Sequence, residues 1–157
     1  MQNLPVKNTT LCYIDDGDSY LMMLRNKKEG DENFNKWIGV GGKFLVGESP
    51  FDCVKREVFE ETSLKNLTFR YRGIVTFVSD VYGTEYMHLF TATGVKGKVN
   101  FNCNEGELSW VNKSKILDLN LWEGDKIFLD LLLKNVGFFS LKLIYQGDKL
   151  TSYSIDI

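Results

Sequence analysis

Hydrophobic and polar positions fall in short runs broken by turn-forming residues, and the runs predict strands with helices between them. Thr9 to Ile14 and Tyr20 to Leu24 are apolar and β-branched or aromatic, separated by the turn-rich Asp15-Asp16-Gly17-Asp18-Ser19. Arg25 to Lys36 is polar and reads as a surface loop, followed by the glycine-dense Trp37 to Lys43. Pro50 to Thr62 changes to helical spacing: at about 100° per residue, Phe51, Val54, Val58 and Thr62 share a core-facing stripe. Ser49 is placed to cap this helix, Pro50 suits its first position, and Asp52 can reach back in a capping box. Leu67 to Val78, Glu85 to Thr93 and Leu108 to Val111 are strand-like. Asp125 to Lys134 carries Ile127, Phe128, Leu131 and Leu132 at helical spacing. Phe138 to Tyr145 and Leu150 to Ile155 flank Gln146-Gly147-Asp148 as a hairpin. The expected class is α+β, with helices packed on a sheet and residues 1–157 forming one domain.

Composition narrows the function classes. The chain has 157 residues, 43% hydrophobic and 25% charged, which argues against disorder. A net charge of −2 without a Lys/Arg cluster disfavours a nucleic acid polymer as partner. Cys12, Cys53 and Cys103 are odd in number and lack the close pairing of a zinc site, so reduced thiols and a cytoplasmic location are expected. The start, MQNLPVKNTT, has no signal-peptide pattern, and no apolar run approaches the roughly 20 residues of a membrane span. His88 is the only histidine and sits mid-strand, which leaves triad chemistry unsupported and favours a structural role.

The helix starting at Pro50 carries the chemistry. Glu57, Glu60 and Glu61 are spaced i, i+3, i+4 and fall in a wedge beside the apolar stripe, with Glu61 at the edge of burial. Such carboxylates repel one another. Arg56 can offset Glu60, but Glu57 has Cys53 on one side and Glu61 on the other. A cation over the wedge would complete it, and hard oxygen ligands on a rigid face suit Mg²⁺, with Mn²⁺ as the alternative. A solvated glutamate face is the competing reading of these three residues alone. The flanking residues weigh against it: Gly41, Gly42 and Lys43 let backbone approach a phosphate or metal, and Glu48 can accept from Arg56.

Gly42, five residues, Glu48, seven residues, then Arg56-Glu57-Val58-Phe59-Glu60-Glu61-Thr62-Ser63-Leu64 resembles the Nudix box of the MutT-type hydrolases. Every charged position agrees; Ser63 stands where glycine is usual. The resemblance implies an α/β/α sandwich around a mixed sheet and divalent-metal-dependent hydrolysis of nucleoside diphosphate derivatives. It implies Glu57, Glu60 and Glu61 as metal-binding carboxylates, the Gly41 carbonyl as a further ligand, and Arg56 with Glu48 as their orienting pair. A ligand from outside the box is also common in the family, and Glu105 is placed for it, with Glu107 the weaker candidate. The base that takes the water's proton would lie among Glu60, Glu61 and Glu105.

Beyond the box, Trp37-Ile38-Gly39-Val40-Gly41-Gly42-Lys43, Leu121-Trp122-Glu123-Gly124-Asp125 and Tyr145-Gln146-Gly147-Asp148 are similar to the oxidised-purine nucleoside triphosphatases. That implies Trp122 stacked on a base and Asp125 bonded to its edge, with Trp37, Ile38, Gly42 and Lys43 also on the substrate side. The plainer reading makes Trp122 a core aromatic and Asp125 an N-cap. Two positions depart from the pattern: Ile38 replaces a base-reading asparagine, and Gly124 replaces one of two adjacent acids. An apolar pocket discriminates less than a hydrogen-bonding one. Three functions are therefore weighed: cleavage of an oxidised purine triphosphate such as 8-oxo-dGTP to monophosphate and pyrophosphate, the same chemistry on another nucleotide or nucleotide sugar, and a non-catalytic nucleotide-binding module. The complete set Glu48, Arg56, Glu57, Glu60 and Glu61 argues against the third. The expected partner is a small nucleotide, with the chain a monomer or homodimer and no membrane or nucleic acid involved. Glutamates splayed into solvent or locked in salt bridges, with no cavity beside them, would contradict the enzyme reading.

Overall fold

The computed structural model describes residues 3–157. Eight strands form one mixed sheet: β1 (Val6–Asp15), β2 (Ser19–Leu24), β3 (Trp37–Ile38), β4 (Thr68–Ser79), β5 (Gly83–Thr93), β6 (Glu107–Asn112), β7 (Phe139–Gln146) and β8 (Lys149–Asp156). Their order is β3-β2-β1-β5-β4-β7-β8, with β6 also paired to β2. β1 runs parallel to β5 and β4 parallel to β7, while the remaining pairs are antiparallel. Helix α1 (Pro50–Thr62) and helix α2 (Glu123–Leu133) supply the other layers.

The alternation along β1 explains the sandwich. Leu11 and Tyr13 enter one core with Phe128, Leu129 and Leu132 of α2, whereas Cys12 and Ile14 enter a second core with Val54 and Val58 of α1. The central strand is thus apolar on both faces because each face carries a helix. A 3-10 turn (Lys113–Asp118) leads from β6 towards α2. Among the described residues, no helix is long and apolar enough to cross a membrane.

Helix α1 has the expected bounds and the expected start: Ser49 accepts from Asp52 N at 3.1 Å and Asp52 accepts from Ser49 N at 3.0 Å. Three positions on it differ from the periodic pattern. Phe51 is 39% exposed, touching Phe90 and Tyr71 only edge-on, and Cys53 and Glu61 are buried instead. The buried stripe is rotated because the segment Val40–Gly42 packs alongside β1 and covers the flank that carries Cys53 and Glu61. At the other end Ser63 is left-handed, with φ of 64°, and its N–H reaches the Phe59 carbonyl. Glycine adopts this conformation without the Cβ penalty, so Ser63→Gly is expected to stabilise the fold by about 1 kcal/mol. A rise in Tm of roughly 2–4 °C in a thermal melt checks it.

Candidate active site

The glycine segment is where the site begins. Leaving β3, the chain turns alongside β1: Cys12 N donates to the Val40 carbonyl at 2.6 Å, and Thr10 N donates to the Gly42 carbonyl at 2.9 Å. The fit leaves no room for side chains. A Cβ on Gly41 would stand 2.0 Å from the Thr10 carbonyl oxygen, and one on Gly42 would stand 2.5 Å from the Glu57 carboxyl carbon. Backbone and carboxylate are thus brought together because both glycines lack a side chain.

Arg56 is the hub of the acidic face. Its Nε donates to Glu48 at 2.7 Å, Nη2 to Glu48 at 2.9 Å and to the Lys43 carbonyl at 3.0 Å, and Nη1 to Glu57 at 2.8 Å and Glu60 at 3.2 Å. The bidentate pair with Glu48 fixes the guanidinium plane, holds the Glu48 carboxyl below its ordinary range and raises the Arg56 pKa. Glu57 is held by Arg56 as well as flanked by Glu61, a partner the linear spacing did not reveal. Glu60 is 55% exposed and is drawn to Arg56 rather than to the cavity described below. Among the described residues no three acidic, cysteine or histidine side chains are gathered as a ready-made metal cage.

Glu61 is the exception to this pairing. It is 8% exposed; one carboxyl oxygen accepts from Gly41 N at 2.9 Å, and the other is buried without a partner. Burial, and then the neighbouring Glu105 and Glu57, push its pKa up to about 10. Burial also raises Glu57, against the pull of Arg56. Glu105 is held by Arg25 at 3.3 Å, and Arg25 is anchored in turn on Asp31 at 2.8 Å. The three carboxylates do not form a closed cage. A buried, orphaned carboxylate oxygen with two further carboxylates close enough to raise its pKa nevertheless has the donor chemistry that suits a hard divalent cation. Glu61, Glu57 and Glu105 are therefore the residues suited to hold one, beside the Gly41 backbone.

A cavity of about 620 Å³ adjoins these groups, within the range of small-molecule sites. Gly41, Gly42, Lys43, Glu57 and Glu105 line one part of it, and Ile38, Trp122 and Asp125 another. Trp37 does not line it; the indole is half-buried and packs against the α2-side core. The Trp122 ring is fixed by its Nε1 donating to Asn33 at 2.9 Å and by the edge-on ring of Tyr145 at 5.7 Å. Asp125 is not the N-cap of α2, since Trp122 holds that position. It lies in the first turn, 3% exposed, and burial with the nearby Glu85 raises its pKa to about 8.

Several lining residues escaped the sequence reading. Arg25, Lys28 and Asn33 belong to a stretch read as plain surface loop, yet all three face the cavity. Lys7 also lines it, bridging Glu32 at 3.3 Å and Glu85 at 3.6 Å. The period-two spacing of Glu85 and Met87 on β5 was the available signal for their common face. A larger groove of about 1020 Å³ beside Asp15, Lys98, Phe101 and Trp110 holds none of the glutamates.

Comparison with known proteins identifies the family. The NUDIX domain family model matches residues 5–132. A Bacillus subtilis protein described as an uncharacterised Nudix hydrolase is 28% identical over 156 residues, covering 96% of this chain and 95% of its own. The oxidised purine nucleoside triphosphate hydrolase of Mus musculus is 32% identical over 136 residues, 85% of each chain. Among solved structures, a MutT protein from Bacillus halodurans superposes with a TM-score of 0.83 at 29% identity, covering 96% of this chain and 97% of that one. The chain belongs to the Nudix family of hydrolases. Divalent metal use and small nucleotide substrates are general in that family.

Proposed function

We propose that the chain is a Mg²⁺-dependent pyrophosphohydrolase of nucleoside triphosphates, with an oxidised purine such as 8-oxo-dGTP as substrate and monophosphate plus pyrophosphate as products. The observation that carries this reading is the single cavity joining the Glu57, Glu105 and Gly42 wall to Trp122 and Asp125. Its dimensions admit a nucleotide with phosphates at one part and base at the other. Lys43, Lys28 and Arg25 put positive charge on the lining, and the Gly41–Gly42 backbone leaves room for a close approach. A divalent cation held by Glu57, Glu61 and Glu105 would neutralise phosphate charge and make a water molecule more acidic. Glu60 joins that set by resemblance alone, since its side chain lies on Arg56.

The chain's own groups position rather than react. Arg56 keeps Glu48 and Glu57 in register with the Lys43 carbonyl, and Gly41 N holds Glu61. Trp122 offers an indole to a purine, and Asp125, largely protonated near neutral pH, can donate as well as accept at the base edge. Ile38 in the lining favours a second reading, in which an unmodified nucleotide or a nucleotide sugar is the substrate.

A screen of nucleotides and nucleotide sugars with Mg²⁺, products identified by phosphorus NMR, separates the two. Pyrophosphate released fastest from 8-oxo-dGTP supports the first; preference for a nucleotide sugar overturns it. Trp122→Ala is expected to weaken nucleotide affinity by about 1–3 kcal/mol. Unchanged affinity in a folded variant makes the indole a packing residue only.

A further inference from the structure

One side chain at the Trp122 part of the cavity has no role in that reading. Gly124, in the first turn of α2, has no space for a side chain: a Cβ there would stand 2.5 Å from Leu143 Cδ1 and 2.7 Å from the Tyr145 hydroxyl. The same hydroxyl accepts from Gly124 N at 2.7 Å. The Tyr145 ring is clamped, stacked on Phe77 at 6.3 Å and edge-on to Trp122 at 5.7 Å, and is 7% exposed. It nevertheless lines the cavity beside Asp125.

A phenol carries one hydrogen to donate. Its oxygen is engaged by Gly124, and among the described residues no group accepts the hydrogen. Asp125 lies close by, but among the described residues no hydrogen bond joins it to the hydroxyl. A buried donor without an acceptor is costly. With Tyr145 on the cavity lining, a bound ligand can take that hydrogen.

We propose that Tyr145 is a specificity-determining residue, its hydroxyl donating to a keto oxygen on the bound base, so that 6-keto purines are taken over 6-amino purines. This rests on the reading of the cavity as a nucleotide site. An 8-oxoguanine base carries the required 6-keto group. The adjacent Gly124 is part of the device, because any side chain there would displace the hydroxyl.

The test compares kcat/KM for guanosine and adenosine triphosphates with Mg²⁺, in the wild-type protein and in Tyr145→Phe. The keto-over-amino preference is expected to fall about tenfold, chiefly through KM, as one lost hydrogen bond implies. Phenylalanine keeps the packing on Phe77 and Trp122, and a thermal melt verifies the fold. A measurement on the wild-type protein needs no variant: replacing the 6-keto oxygen of the guanine nucleotide by sulfur, a weaker acceptor, should weaken binding in calorimetry. A preference unchanged within twofold in folded Tyr145→Phe, or equal losses for both bases, overturns the proposal while leaving the nucleotide reading intact. Sulfur substitution without effect does the same. A wild-type protein that neither binds nor cleaves these nucleotides or 8-oxo-dGTP overturns both.

Discussion

Glu61→Gln is expected to lower kcat by roughly 10²–10⁴-fold while leaving the fold in place, and Glu57→Gln to do likewise. Glu61 has one oxygen on Gly41 N and one buried oxygen without a partner, in a setting that pushes its pKa to about 10. Such a carboxyl is destabilising in isolation and becomes an asset only with a cation beside it. Glutamine has the same shape and can still accept from Gly41 N, so packing of α1 on β1 should survive. Glutamine has no proton to give up and so cannot become the anionic ligand a cation needs there. Two measurements check this together. Turnover of the best nucleotide should collapse, and the rise in Tm that Mg²⁺ gives the wild-type protein should shrink in the variant. Near-normal rates in either variant would contradict the metal assignment at that residue.

The same helix shows what sequence could and could not convey. Its start was legible because capping is local: Ser49, Pro50 and Asp52 lie within one turn and bond to one another. Its end was legible for the same reason, with Ser63 left-handed where a glycine is usual. The buried stripe was read less well. Phe51 shares the angle of Val54 and Val58, but burial depends on what the rest of the chain brings alongside, and the Val40–Gly42 segment covers Cys53 and Glu61 instead. The partnership of Arg56 with Glu57 was likewise hidden, since adjacent residues on a helix do not normally face each other. Here the bond forms because Glu48 and the Lys43 carbonyl pin the guanidinium.

At the Trp122 end of the cavity the gap is larger. Trp122 and Asp125 could be placed by resemblance, yet their surroundings come from distant chain. Asn33 reaches Trp122 from 89 residues away, and Tyr145 reaches Gly124 across 21. Nothing in the polar composition of 25–36 distinguishes a cavity wall from a solvated loop; the Arg25–Asp31 pair and the Asn33–Trp122 bond make that distinction only after folding.

Asp125 yields the second large expectation, and it concerns stability as well as binding. Its pKa is 3.8 in a solvated chain and about 8 in the fold, raised first by burial and then by Glu85. Between those values the folded protein keeps a proton that the unfolded chain has released. Raising the pH through that window therefore favours unfolding: the contribution of Asp125 is most favourable below pH 4, declines as pH rises, and levels off above about 8. Asp125→Asn, which cannot ionise, should leave stability near pH 4 little changed and raise it at pH 8 by an amount on the order of a few kcal/mol. Denaturant melts of both proteins across this range give the difference directly. Glu61 is shifted in the same direction but is common to both chains, so its effect cancels in the subtraction. Parallel pH profiles in the two proteins would mean that the Asp125 carboxyl is ionised and stabilised inside the fold, and its use as a hydrogen-bond donor to a purine edge would then fail as well. If the profiles diverge as described, weaker purine nucleotide binding by the more stable Asp125→Asn protein would mark the stability given up at this position for recognition.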